Sequence, residues 1–120
     1  MKLTNRQMDE YLYSLNQIAS KTKGKLAFAI AKNMRVMQNE LIEYHKIKDG
    51  LIQKYGEPSD NGGFQLNVES DAFKEFIIEM KEYDSIESDV NIIMVEPEQV
   101  YESSLDSYEM MQILFMVREE

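Results

Sequence analysis

The residue types that do chemistry are few in this chain, and their spacing decides what they can do. Cysteine is absent and histidine occurs once, as His45. Glu40 and Glu43 are near it, but neither stands three or four residues away to form a metal-binding pair with it on one helix face, and no second imidazole or thiolate completes a metal set. His45 therefore reads as a solvated surface residue, with no metal and no cofactor expected. A serine nucleophile needs a base and a strained elbow, and no such sequence surrounds any serine. The chain reads as a non-enzyme.

Anion binding has a stronger basis. Lys21, Lys23 and Lys25 bracket Gly24, and Lys32 and Arg35 follow in the next turns. Helix-start amides and these five side chains form a candidate site for a phosphate-bearing small ligand, although the spacing is not that of a Walker loop and lysines at a turn are ordinarily just hydrated. Charge is divided unevenly along the chain. Residues 1–54 hold ten basic and five acidic side chains, net +5, whereas 55–120 hold three basic and seventeen acidic, net −14. Unlike halves attract, so the acidic part is expected to fold back on the basic part or on a neighbouring subunit. The overall −9 repels phosphates, which disfavours direct binding of duplex nucleic acid. Carboxylates at Glu69, Asp71, Glu75, Glu79, Glu82, Asp84, Glu87 and Asp89 admit a sharper reading, mimicry of a nucleic-acid backbone. The default for such positions is a solvated helix face.

The elements that must carry these residues follow from periodicity. From Gly24 to Gly56, Ala27, Ile30, Met34, Met37, Leu41, Tyr44, Leu51 and Tyr55 recur three or four apart, with Lys48 interrupting the seam. That is the pattern of one long coiled-coil-like helix, about 45 Å in length. Ile30, Met34, Met37, Leu41, Tyr44 and Leu51 are its candidate interface, because the seam is longer than the first helix can cover, and a homo-oligomer is expected. Thr4 with Gln7 is a capping box, and Leu3 with Met8 a hydrophobic staple, so a first helix begins at once. Its stripe is Met8, Tyr11, Leu12, Leu15, Ile18 and Ala19, leaving Tyr13 outside as an exposed contact. Gly24 breaks the pattern and turns the chain into a helical hairpin. Gly56 fits a left-handed cap that ends the long helix, and Pro58 prevents continuation.

Beyond an Asp60 to Gly63 turn, Phe64, Leu66 and Val68 alternate as a short strand. Ser70 or Asp71 caps a helix to about Asp84 that buries Phe73, Phe76, Ile77, Met80 and Tyr83. Val90 to Val95 reads as a second strand, which permits a parallel crossover with the first. Ser107 to Val117 reads as a short, well-buried helix capped by Ser107, with a strand as its open alternative. The fold class is therefore mainly α with a small β element (α+β), one domain over 1–120: a hairpin over 1–56 and an acidic strand-helix-strand-helix part over 64–120. No run suits a membrane span and the N-terminus has no signal-peptide core, so the expected location is the cytoplasm.

The phrase Ala29, Ile30, Ala31, Lys32, Asn33, the helix end Leu51, Ile52, Gln53, Lys54, Tyr55, Gly56, Glu57, the Asp60 to Gly63 turn and the later acidic helix resemble a family of small proteins of unknown function from tailed phages and prophages of Gram-positive bacteria. The resemblance implies a phage accessory context and supplies no active site. With the seam and the divided charge, it leads to the expectation of an accessory protein that binds and sequesters a host factor, antidefence being one form of this. The alternative expectation is a virion-assembly or tail chaperone acting on another phage protein through helix-helix contacts.

Overall fold

The computed structural model describes residues 1–119, and it is mainly α with a small β part. In chain order the elements are β1 (Lys2–Thr4), α1 (Asn5–Ile18), α2 (Gly24–Glu40), α3 (Ile42–Tyr55), β2 (Glu57–Pro58), β3 (Phe64–Gln65), α4 (Asp71–Asp84), β4 (Glu87–Asp89), α5 (Pro97–Tyr101) and α6 (Ser107–Gln112). A 3₁₀ turn over Ala19–Lys21 links α1 to α2, and another follows α6 at Leu114–Met116. No helix among the described residues is long and apolar enough to cross a membrane.

Helix starts obey local chemistry. The Thr4 hydroxyl accepts the Gln7 amide at 3.0 Å while the Thr4 amide donates to Gln7 Oε1 at 2.9 Å, so two otherwise orphaned donors are satisfied. Leu3 and Met8 are both buried beside this cap, as a staple requires. Ser70 caps α4 by accepting the Phe73 amide at 3.1 Å. The cap of α6 is Asp106 and not Ser107: its carboxylate accepts the Glu109 amide at 2.8 Å. Aspartate offers a charged acceptor to the positive helix end, and Ser107 becomes the first helical residue.

The hairpin of α1 and α2 forms as expected, but the long helix is divided at Leu41. There φ is −88° and ψ is 1°, between α2 and α3. The ladder keeps its bonds across the break, with Leu41 N–H on Met37 O and His45 N–H on Leu41 O. The Leu41 side chain has no exposure. On either side of it α2 packs on α1 and α3 packs on α4. Gly56 also departs from the left-handed cap: its φ is −86° and ψ 170°. Glycine is required there for space, since a Cβ would lie 2.4 Å from Ile52 O and 3.0 Å from Gln65 O.

The strands pair differently from a parallel crossover. β1 pairs antiparallel with β4, Lys2 opposite Asp89 and Thr4 opposite Glu87, while β2 and β3 form their own hairpin. The segment expected as a strand over Val90 to Val95 belongs to no strand, and its one bridge is parallel, Val95 to Val117. The Ser107 to Val117 stretch is only half buried. Ile113 and Met116 have no exposure, whereas Tyr108, Met111 and Leu114 face solvent. Phe115 stacks on Tyr11 with ring centroids 3.9 Å apart, anchoring the stretch to α1.

One cluster of buried side chains joins both halves, from Met8, Leu15 and Ile18 through Ile30, Met37 and Leu41 to Phe76, Met80 and Ile113. Charge follows it. Lys21 reaches Glu109 at 2.6 Å, Lys54 reaches Glu79 at 2.9 Å and the terminal ammonium reaches Asp89 at 2.9 Å. The acidic part thus folds back on the basic part within one chain.

Candidate binding site

Two chain segments, 21–29 and 93–104, enclose an open cleft of about 1210 Å³. Its first side comes from the turn into α2. Gly24 adopts φ +64°, a left-handed value that glycine takes without a steric penalty, and this reversal sets Lys23 and Lys25 on the cleft. Its second side is α5, started by Pro97 in the first turn, where the missing amide hydrogen costs nothing, and by the Glu96 amide donating to Gln99 Oε1 at 2.9 Å. Glu96, Glu98 and Glu102 line this side. Leu26, Ala29 and Val95 form a buried floor, while Phe28 and Ile93 stand 63% and 37% exposed within the cleft, leaving apolar surface open to a ligand.

The charges of the cleft are unequal in availability. Lys21 is paired with Glu109, which raises the Lys21 pKa and holds the Glu109 carboxyl below its ordinary range, first through that hydrogen bond and then through the Asp106 amide. Glu96 is paired with Arg118 at 3.1 Å. Lys23, Lys25, Glu98 and Glu102 have no ion-pair partner among the described residues. Two free cations therefore face a cleft shared with two free carboxylates. The hydroxyls of Ser103 and Ser104 are committed to the Val100 and Lys21 carbonyls at 2.5 and 3.2 Å.

Of the expected anion-site residues, Lys21, Lys23 and Lys25 come together on the cleft, but Lys21 is already neutralised. Lys32 lies 5.8 Å above the Phe28 ring, and it and Arg35 are outside the lining. The five cations do not converge, because α2 turns Lys32 and Arg35 away from its first turn. The expected interface fares differently again. Ile30, Met37, Leu41 and Tyr44 are buried in this single chain, and Met34 and Leu51 pack against the same core. Most of the seam is thus taken up by packing within one chain, with Met34 and Leu51 half buried.

His45 is not simply solvated. Its Nε2 lies 2.7 Å from Asp9 Oδ1, and Lys48 approaches the other oxygen of Asp9 at 3.6 Å, tying α3 to α1. Nearby, the Tyr44 hydroxyl donates to Asp84 at 2.5 Å, and burial followed by that carboxylate raises the phenol pKa well above its usual range. Tyr13 is exposed, as its position off the stripe implied.

The residue that sequence reasoning missed is Asn33. It has no exposure, its Oδ1 accepts the Ile93 amide at 2.7 Å and its Nδ2 donates to the Ile93 carbonyl at 3.0 Å. A side-chain amide here replaces a neighbouring strand, and it fixes the wall of the cleft from Ile93 to Glu96. Its signal was present: the buried stripe of α2 runs Leu26, Ala29, Ile30, Asn33, Met37, with one amide among apolar residues. Comparison of the chain with models of known protein families, with curated proteins and with solved structures returns no match.

Proposed function

We propose that this chain is a non-enzymatic binding protein that holds a polypeptide segment of another protein in the cleft between Lys21 and Ser104. The observation that carries the reading is the cleft itself: open apolar side chains, Phe28 and Ile93, between unpaired lysines and unpaired glutamates. Polypeptide supplies an apolar side chain with both signs of charge nearby. A phosphate-bearing small ligand suits it less well, since Glu98 and Glu102 would repel it and Lys21 is already occupied. The non-enzymatic reading draws on the cleft's hydroxyls being bonded to backbone and on the one imidazole, His45, lying outside its lining.

The biological setting rests on the sequence resemblance alone: a phage or prophage accessory protein, acting in the host cytoplasm, that sequesters a host factor, antidefence being one form of this. The chaperone reading loses its main support, because the seam on which helix-helix contact depended lies inside the chain.

A photo-crosslinking residue tests both parts. Placed at Phe28 in uninfected host extract, it is expected to give one dominant host-protein adduct that disappears on Lys23→Glu with Lys25→Glu. The same residue at Tyr13, exposed and outside the cleft, serves as control. An adduct pattern shared by both positions, or no adduct in uninfected extract while infected extract gives adducts with phage structural proteins, overturns the proposal.

A further inference from the structure

Ion pairing leaves the cations of this chain unequally placed. Of its thirteen lysines and arginines, seven are paired with carboxylates, and among the described residues six are not: Lys2, Lys23, Lys25, Lys32, Arg35 and Lys81. Four of those six belong to α2 and the residue before it. Lys25, Phe28, Lys32 and Arg35 stand three, four and three residues apart, which sets them in one row along the helix, and all four are exposed. At 1.5 Å per residue the row is about 15 Å long. Its first two members, Lys25 and Phe28, also line the cleft, so the row begins inside the cleft and leaves it along α2. Lys32 reaches back over the Phe28 ring, 5.8 Å from its centroid. Carboxylates bound the row at both ends: Glu98 and Glu102 across the cleft at its start, and Glu40, the only acid of α2, at the last residue of the helix.

Unpaired cations gathered around an exposed aromatic ring are complementary to carboxylates that flank an apolar side chain. We infer, on the polypeptide reading of the cleft, that the segment held there has a fixed order of charge: basic at its α5 end, apolar at Phe28 and acidic along Lys32 and Arg35. Glu98 and Glu102 then meet the basic residues, Phe28 and Ile93 enclose the apolar side chain, and the cations that the chain itself leaves unpaired gain carboxylates. An extended chain crosses the row in about five residues, so the acidic part is short. A nucleic acid suits this surface less well. Its backbone is negative throughout, so it meets Glu98 and Glu102 at one end of the row and Glu40 at the other, and it carries no cation to place against them.

Synthetic peptides of about twelve residues test the order by fluorescence anisotropy with the full chain. Two carry lysines, then a leucine, then glutamates, in the two opposite chain directions, and a control of the same composition alternates its charges. One ordered peptide is expected to bind at least about tenfold more tightly than the control at low salt. Lys32→Glu with Arg35→Glu, both outside the cleft lining, weakens that peptide at least about tenfold without lowering helical circular dichroism. A peptide with lysines in place of the glutamates binds this variant more tightly than it binds the wild type, a gain that damaged folding would not give. Equal binding of ordered and alternating peptides, or binding indifferent to Lys32→Glu with Arg35→Glu, overturns the inference; if Lys23→Glu with Lys25→Glu still removes that binding, the cleft reading stands. An oligouridine of about the same length that binds more tightly than either ordered peptide overturns the inference in favour of nucleic acid. No peptide binding up to about 1 mM overturns it as well, and the adduct at Phe28 then decides the cleft reading by itself.

Discussion

Replacing Asn33 tests whether one amide holds the cleft wall. Asn33→Ala removes two hydrogen bonds to Ile93, of 2.7 and 3.0 Å. Each is worth about 1 kcal/mol net, and the deleted atoms leave a void in a site of zero exposure. Both bonds are only partly buried, so the penalty for unpaired groups stays near its lower end. The sum is a loss of about 2 to 4 kcal/mol, read by urea unfolding at pH 7. Asn33→Asp is the sharper variant, equal in shape but opposed in chemistry. It still accepts the Ile93 amide, yet it sets an ionised oxygen against the Ile93 carbonyl where Nδ2 was. Burial and that carbonyl raise the folded-state pKa of the introduced carboxyl above its unfolded value of about 3.9. A raised pKa adds stability that is complete below the unfolded pKa and is lost as pH rises through the folded one. Relative to wild type, the Asn33→Asp deficit should therefore grow from about pH 4 toward pH 7 and exceed that of Asn33→Ala there, while the Asn33→Ala deficit stays flat. Amide exchange at Val95 should quicken in both. A cost below about 0.5 kcal/mol for both variants, or an Asn33→Asp deficit independent of pH, would refute the reasoning.

Met37→Glu with Leu41→Glu should unfold the single chain rather than separate subunits, since both side chains have zero exposure and each buried carboxylate costs several kcal/mol, of order 3 or more. A cooperative melt near the wild-type temperature would show that these residues are not core. Acid should loosen the junction between the halves. Glu79 is held below its ordinary 4.5 by the Tyr55 hydroxyl and then Lys54, Glu109 below 4.5 by Lys21 and then the Asp106 amide, and Asp89 below 3.8 by the terminal ammonium. Depressed carboxyl pKa values add stability that is complete above the unfolded values and lost as pH falls through the folded ones. The melting temperature should therefore hold at pH 6 and fall below about pH 4.5, and Glu79→Gln with Glu109→Gln should reduce that dependence. An unchanged acid slope in the double variant would remove these pairs from the account.

Much of the cleft was legible in part only. The Lys21 to Lys25 cluster was visible as cations at a helix start, but its pairing with Glu109 was not, because eighty-eight residues separate the two. No local pattern in the sequence connects Glu98 and Glu102 with Lys23. Asn33 was visible as an amide in an apolar stripe, whereas its partner, the backbone of Ile93, carries no residue-type signal. Stripe assignment itself slipped by one position. Ala27 and Met34 are half buried while Leu26 and Asn33 are inside, since a helix covered by several neighbours buries a wider arc than a two-strand seam.

What the sequence determined alone was short-range: the start of α1 at Thr4 and of α4 at Ser70 or Asp71, the reversal at Gly24, the amphipathic stripes, and the mainly helical class with a small β part. These depend on torsional preference and on hydrogen bonds reaching three or four residues, which local residue types dictate. Tertiary structure alone decided the break at Leu41, the pairing of β1 with β4, the covering of the Ile30 to Leu51 seam and the hold of Asn33 on Ile93. Each of these is settled by which distant surfaces bury one another best, a sum over many weak contacts that no single stretch of chain encodes.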